Sequence, residues 1–405
     1  MIKASYNLII LVLFLNSCAE KKAIIEKTDY KTHYKFASEI EDKVENDTVS
    51  WKYQISAADY ASKGDYKNAL EHWDLAMGSA EKNYDHAQID SINALYRKIP
   101  AKEYILEKAI DEQVLIINEA HHSSHHRFFT KSLLKELFSL GYTNLGLEAL
   151  GNGEYLDTLL LKRKYPVQET GWYIIEPQFG DLVREAIEIG YNVFPYEQTS
   201  DSNGKLREIE QAQNISEIIE QRPSEKFLIH CGFDHALEGT HASWEKAMAG
   251  RLKEFTGIDP LTINQVVYSE KSDPKFNNRF LKAINPSGST ILIDKENKPY
   301  RYSREEAWSD IAIFHPNTEY INNRPDWIFT NNNRKVKIDL SALDISYPIL
   351  VMAFKEGEDA DIAVPVDIFE VSYKEDYCFL GLPKGDHVII VTNGTESLRF
   401  DKTVK

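Results

Sequence analysis

The stretch VLIINEAHHSSHHRFFTKSLLKELFSLGYTNLGLE, residues 114–148, decides the fold. Its opening, residues 114–118, is a short apolar run that reads as a buried strand. Phe129, Leu133, Leu137 and Leu140 then recur at the spacing of one helix face. Ser123 or Ser124 can cap that helix and Gly141 can end it. Residues 144–147 form the next strand. The alternation continues, with helical patterns over 181–189, 206–219 and 244–255, each leading to a strand at 192–196, 226–229 and Thr262. Strands alternating with helices of this length make βαβ units. The expected fold is α/β: a mostly parallel sheet flanked by helices.

The ligand crevice of an open α/β sheet lies beyond the carboxyl ends of its strands. Here the strand ends carry the ionisable residues. Glu119, His121 and His122 follow the first strand, Glu148 the second and Glu197 the third. The fourth ends on His230, with His235 five residues on. Parallel pairing would bring these side chains to one crevice. His121, His122, His125 and His126 are also four of the chain's 12 histidines. Imidazole titrates near about 6.5, which suits a general base or a metal ligand. His121 and His122 fall in the loop, whereas His125 and His126 begin the helix. A disordered metal-scavenging tract is the competing reading, and the strand before and helix after oppose it.

Three motifs in order resemble the superfamily that joins erythromycin esterase-like hydrolases, ChaN-like haem-uptake lipoproteins and Tiki/TraB metalloproteases. They are Asn118-Glu119-Ala120-His121-His122, Leu145-Gly146-Leu147-Glu148 and His230-Cys231-Gly232-Phe233-Asp234-His235. The family's first motif has glycine where this chain has Asn118; Asn tolerates left-handed backbone better than most residues, which would preserve the turn. The resemblance spans roughly residues 114–267 and implies Glu119, His122, Glu148 and His235 as the site. It implies supporting places for His121, Glu197 and His230. His230 is expected as a core histidine whose ring bonds a backbone carbonyl; His241 and His315 are expected as surface or structural residues. In esterase-like members a histidine base activates water without metal, and Glu119 or Glu148 would orient it. In metalloprotease-like members the same positions, Glu119, His122, Glu148 and His235, hold a divalent metal. In haem-uptake members Tyr and His positions hold haem iron.

The remaining residues set organisation and compartment. At 405 residues the chain can hold two or three domains, and its net charge of −16 argues against a nucleic-acid partner. Lys3, the apolar run 8–15 and Leu15-Asn16-Ser17-Cys18 resemble a bacterial lipoprotein leader. Residues 1–17 are then a signal peptide, Cys18 the lipidated residue, and 18–50 a charged tether. That places the protein on a bacterial membrane, facing the periplasm or cell surface. Cys231 and Cys378 lie in different segments, so a disulfide is not expected. Residues 51–99 resemble one tetratricopeptide-type helix pair; a single copy reads as a helical prefix packed on the main domain. Residues 100–332 form the α/β domain. Beyond residue 333, short β-rich runs at 336–340, 349–354, 368–371 and 387–392 predict a small all-β, sandwich-like domain.

The expected function is an exported, lipid-anchored hydrolase acting on an ester, lactone or peptide. A haem- or metal-binding uptake protein is the alternative at the same crevice. An interaction scaffold with a vestigial site is a third reading.

Overall fold

A computed structural model describes residues 24–405. The signal segment and Cys18 lie outside the described residues. Six strands form one sheet whose neighbours all run parallel. Their order is Ile311–Ala312, Leu261–Asn264, Val114–Glu119, Lys226–Gly232, Tyr142–Leu147 and Asn192–Pro195. The chain leaves the Val114–Glu119 strand toward one edge, returns beside it as Lys226–Gly232, and then builds the other edge. The carboxyl ends of these central strands are therefore where a crevice forms.

Side-chain alternation along each strand sorts the core into two layers. Leu115, Ile117, Leu145 and Leu147 meet Leu133, Leu137, Leu182 and Val183 from helices Ser124–Ser139 and Pro177–Ile189. Val114, Ile116, Phe227 and Ile229 meet Ala212, Ile215 and Leu252 from helices Lys205–Gln221 and Met248–Thr256. Helices cover both faces, which is why the central strands read as unbroken apolar runs. The α/β architecture with a helix-flanked parallel sheet is thus present, joined by several antiparallel sheets.

Some elements differ from expectation. The segment 18–50 is not a free tether where it is described: Glu26–Thr28 pairs antiparallel with Ser397–Val404, and Ala37–Asn46 is helical. Strand pairing with a distant segment leaves no local mark in a charged sequence. The helix expected from Trp244 starts at Met248, because Trp244 instead stacks on His241 with ring centroids 4.2 Å apart. Thr290–Ile293 pairs antiparallel with Arg97–Pro100, whereas Ile311–Ala312 joins the parallel sheet.

The prefix helices Lys52–Ser62 and Tyr66–Met77 sit on the main domain. Asp65 caps the second by accepting the Asn68 N–H. Trp73 on that helix stacks on His122 and Phe233. The C-terminal strands make a five-stranded antiparallel sheet and a two-stranded partner that share one core, including Val336, Val351, Leu380 and Val391. This part is anchored to the rest by buried charge. Fully buried Arg324 donates to Asp367 and to the carbonyls of Gly64 and Ile368. Asp367→Ala is expected to cost about 3–5 kcal/mol, since it strands a buried guanidinium. Urea unfolding of the full chain measures it, and a loss below about 1 kcal/mol would mean that the pair is not an anchor.

Candidate active site

A cavity of about 1350 Å³ opens at the carboxyl ends of the parallel strands. Glu119 ends the first strand and faces it with both oxygens engaged. Arg127, in the first turn of the Ser124–Ser139 helix and fully buried, donates to it through Nε and Nη2 at 2.5 and 2.8 Å. The same guanidinium reaches Glu176 at 3.1 Å and the His121 carbonyl at 3.0 Å. Glu176 is the N-cap of the Pro177–Ile189 helix and accepts the N–H groups of Gln178 and Phe179. Tyr66 of the prefix donates its hydroxyl to Glu176 at 3.2 Å. A continuous polar chain therefore runs from the prefix through Glu176 and Arg127 to Glu119. Burial pushes the Glu119 carboxyl up, but the Arg127 charge and hydrogen bonds from His121 and Arg127 outweigh it and hold Glu119 ionised.

His121 lies just past the strand, in a turn closed by the Ser123 N–H donating to the Ala120 carbonyl at 2.8 Å, and its ring returns to Glu119. Its Nδ1 lies 3.0 Å from Glu119 Oε1, and its ring stacks on Tyr173 with centroids 3.9 Å apart. Nε2 is left over Gly232. A Cβ on Gly232 would stand 2.5 Å from His121 Cε1, 2.9 Å from Nε2 and 3.5 Å from Glu148 Oε2. Glycine is thus required for close approach, not for its backbone angles. Its N–H donates to Glu148 Oε2 at 2.5 Å. Gly232→Ala is expected to displace the imidazole and to lower any reaction that uses it about a hundredfold with a folded chain, the penalty of a misplacement near 1 Å. Steady-state rates beside a melting curve test this; wild-type turnover would show that His121 needs no such room.

The second carboxylate is Glu148. Arg207 Nη2 donates to its Oε1 at 2.7 Å while binding Glu197 at 2.9 and 2.5 Å. Burial raises Glu148, but His235, Arg207 and His121 hold its carboxyl below the usual range. His235 lies behind the wall. Its Nε2 is 3.4 Å from Glu148 Oε1 and its Nδ1 is 2.8 Å from Glu208. Burial alone would lower His235, yet Glu148 and Glu208 raise it.

Of the residues expected from sequence, Glu119, Glu148, His121, Glu197 and His230 line the cavity. His122 does not. The turn at residues 120–123 carries His121 to the cavity and His122 to the prefix, where its ring is stacked on Trp73 at 4.1 Å. The place expected for His122 is filled by His121. His230 also departs from expectation: no carbonyl holds its ring. It is buried on the cavity wall, its Nε2 has no hydrogen-bond partner, and Glu119 Oε2 is 3.8 Å away. Burial pushes its pKa down to about 4, so it is neutral at pH 7. His241 and His315 are both buried, hence structural. Cys231 lines the cavity too, but burial raises its thiol far above the thiolate range. Arg127, Arg207 and Glu176 carry no local sequence signal beyond the Glu176-Pro177 helix start.

The residues do not fit a resident divalent metal. Glu119 and Glu148 already accept from two guanidinium groups, His121 and the Gly232 N–H. Among the described residues no group of three His, Cys, Asp or Glu is disposed to hold an ion.

No protein-family model and no curated protein matches the chain. Among solved structures it is similar to the crystal structure of RRSP, a MARTX toxin effector domain from Vibrio vulnificus CMCP6. That match has 16% identity, covers 59% of this chain and 48% of the other, and has a TM-score of 0.32. The type III effector HopBA1 matches at 12% identity over 45% of this chain and 94% of that one, TM-score 0.30. The chain therefore spans about half the length of the RRSP structure. Likeness at this level carries nothing functional to this chain.

Proposed function

We propose that the chain is a hydrolase of the erythromycin esterase-like type, working with a histidine base. The observation that carries this reading is the pair of buried Glu119 and half-buried His121, whose remaining ring nitrogen, Nε2, lies at the cavity beside Glu148. Glu119 fixes the Nδ1–H tautomer, so the Nε2 lone pair can take a proton from water. The water oxygen bonds the substrate carbonyl carbon as its proton passes to Nε2. Glu119 and Glu148 stabilise the imidazolium that results. His230, neutral and in its Nε2–H form, can donate to the carbonyl oxygen, and Arg207 supplies positive charge on the same wall. Collapse of the tetrahedral intermediate breaks the ester C–O bond, and the leaving alkoxide takes the proton back from His121. A panel of p-nitrophenyl esters, assayed with and without chelator, tests the reaction class. Chelator-indifferent hydrolysis is expected; activity abolished by chelator and restored by divalent ion would overturn the metal-free route.

The lipobox-like Leu15–Cys18 tetrapeptide supports export and lipid anchoring. One acyl chain binds only marginally, at about 0.8 kcal/mol per buried methylene, whereas several anchor stably. Cys18→Ala is expected to move the protein from the membrane to the soluble fraction. A wild-type protein already soluble on fractionation would remove this part of the proposal.

A further inference from the structure

We infer that the cavity recognises a substrate carrying a positively charged group, an ammonium or guanidinium, seated between Trp172 and Tyr155 and the carboxylates of Glu154, Glu169 and Asp201. This rests on the hydrolase reading and adds the substrate's charge class to it.

The inner carboxylates of the cavity are already matched: Glu119 by Arg127, and Glu148 and Glu197 by Arg207. The outer ones are not. Glu154, Glu169 and Asp201 line the same cavity, are exposed, and make no ion pair among the described residues. Among the described residues of the wall Arg207 is the sole Lys or Arg, and it is already committed inward. The negative potential at the mouth is therefore uncompensated.

Two further features set this mouth apart from a generally acidic surface. Trp172 and Tyr155, which also line the cavity, are 87% and 73% exposed. Large rings left in water on the same cavity wall as unpaired carboxylates suit a cation, which gains from the ring face and the charge together. At the deep end, the His230 Nε2 is buried on the wall with no hydrogen-bond partner. A buried polar atom without a partner is costly, and a group entering the cavity would satisfy it. The cavity thus has an unsatisfied polar end beside His121 and a negatively charged aromatic end at the mouth. A bound molecule would place its reacting carbonyl at the first and its cation at the second. The volume, about 1350 Å³, exceeds the roughly 300–1,000 Å³ of most small-molecule sites, leaving room for both ends.

The test separates recognition from turnover by using full-length His121→Ala for binding. Nα-benzoyl-arginine amide and its neutral counterpart Nα-benzoyl-citrulline amide are titrated by calorimetry, and a pentapeptide with central arginine or citrulline distinguishes a peptide source from a small one. The arginine forms are expected to bind about tenfold tighter or better. That preference should shrink toward unity in the Glu154→Gln, Glu169→Gln, Asp201→Asn triple variant and in high salt. Trp172→Ala alone should weaken the arginine ligand about fivefold, which guards against a misfolded triple variant. Equal affinity for arginine and citrulline forms, or a preference that survives the triple substitution, would overturn the inference. A charge preference in a wild-type protein that hydrolyses no ester would instead refute the hydrolase reading and leave the cation site standing.

Discussion

His121→Ala is expected to lower kcat/KM by about a thousandfold or more, while His122→Ala leaves it within about threefold. The contrast discriminates because the two residues are neighbours with the same side chain. Only His121 has a carboxylate on Nδ1 and its Nε2 at the cavity. His122 is a packing residue; its loss should appear as a lower melting temperature, because the Trp73 stack that ties the prefix down is gone. Glu119→Gln should fall close to His121→Ala in rate, since an amide neither fixes the tautomer nor balances an imidazolium. It should also destabilise the chain, because Arg127 then has Glu176 as its one carboxylate partner. Combining Glu119→Gln with His121→Ala should cost scarcely more than either alone, as members of one unit do. Rates for the four variants, each with a melting curve, decide it. A fast His121→Ala enzyme, or a slow and well-folded His122→Ala enzyme, would return the base to His122.

The sheet was legible because both of its faces are buried, so each central strand appears as an apolar run and each helix as a periodic face. The strand-end carboxylates followed from that, and Glu119, Glu148 and Glu197 do face the cavity. Choosing between His121 and His122 needed one more step of the same logic. That step was not available, because both residues lie in the 120–123 turn beyond the strand, where side-chain direction follows the turn and not the strand's alternation. The arginines were not legible. Arg127 and Arg207 each sit early in a helix with no pattern around them, and only tertiary placement puts them against carboxylates from distant segments. The orphaned Nε2 of His230 was hidden for a similar reason. An apolar strand predicts burial of its terminal histidine but not whether a carbonyl lies within reach. The Glu26–Thr28 strand pairs with Ser397–Val404 at the opposite end of the chain, and nothing local could announce it.

Acidification should destabilise the protein well above the carboxylate range, with stability falling below about pH 6.5. Four buried histidines cause this: His122, His126, His230 and His315. Burial lowers all four, holding His230 near 4 and His126 near 3, with His122 and His315 well below the usual value. Geometry agrees for His126, whose Nδ1 accepts the Ala120 N–H at 3.0 Å and has no room for a proton. His315 is held between Ser289 and Gln265 at 2.8 and 3.0 Å, and both rings lie close to each other and to His125. The sign is fixed by the unfolded chain, where each imidazole takes a proton near about pH 6.5. Stability from these groups is complete above that pH and is lost as pH falls toward the folded values. Each contributes up to about 1.4 kcal/mol per pH unit; Glu238 and Glu270, whose carboxyls burial raises to about 7, bind protons in the folded chain over the same range and offset about two of the four, leaving about 3. Against a total stability of about 5–15 kcal/mol, that removes a large part of it within about two units. His235 does not offset the loss. Its folded pKa is raised, so its contribution is already complete below about 6.5 and is lost only as pH rises. Glu119 and Glu148, whose values are lowered, add to the loss only at still lower pH. Urea titrations between pH 7.5 and 4.5 should show this slope, and His126→Gln should flatten it by about one proton. Constant stability from pH 7 to pH 5 would mean that these histidines open to solvent without unfolding the fold around them.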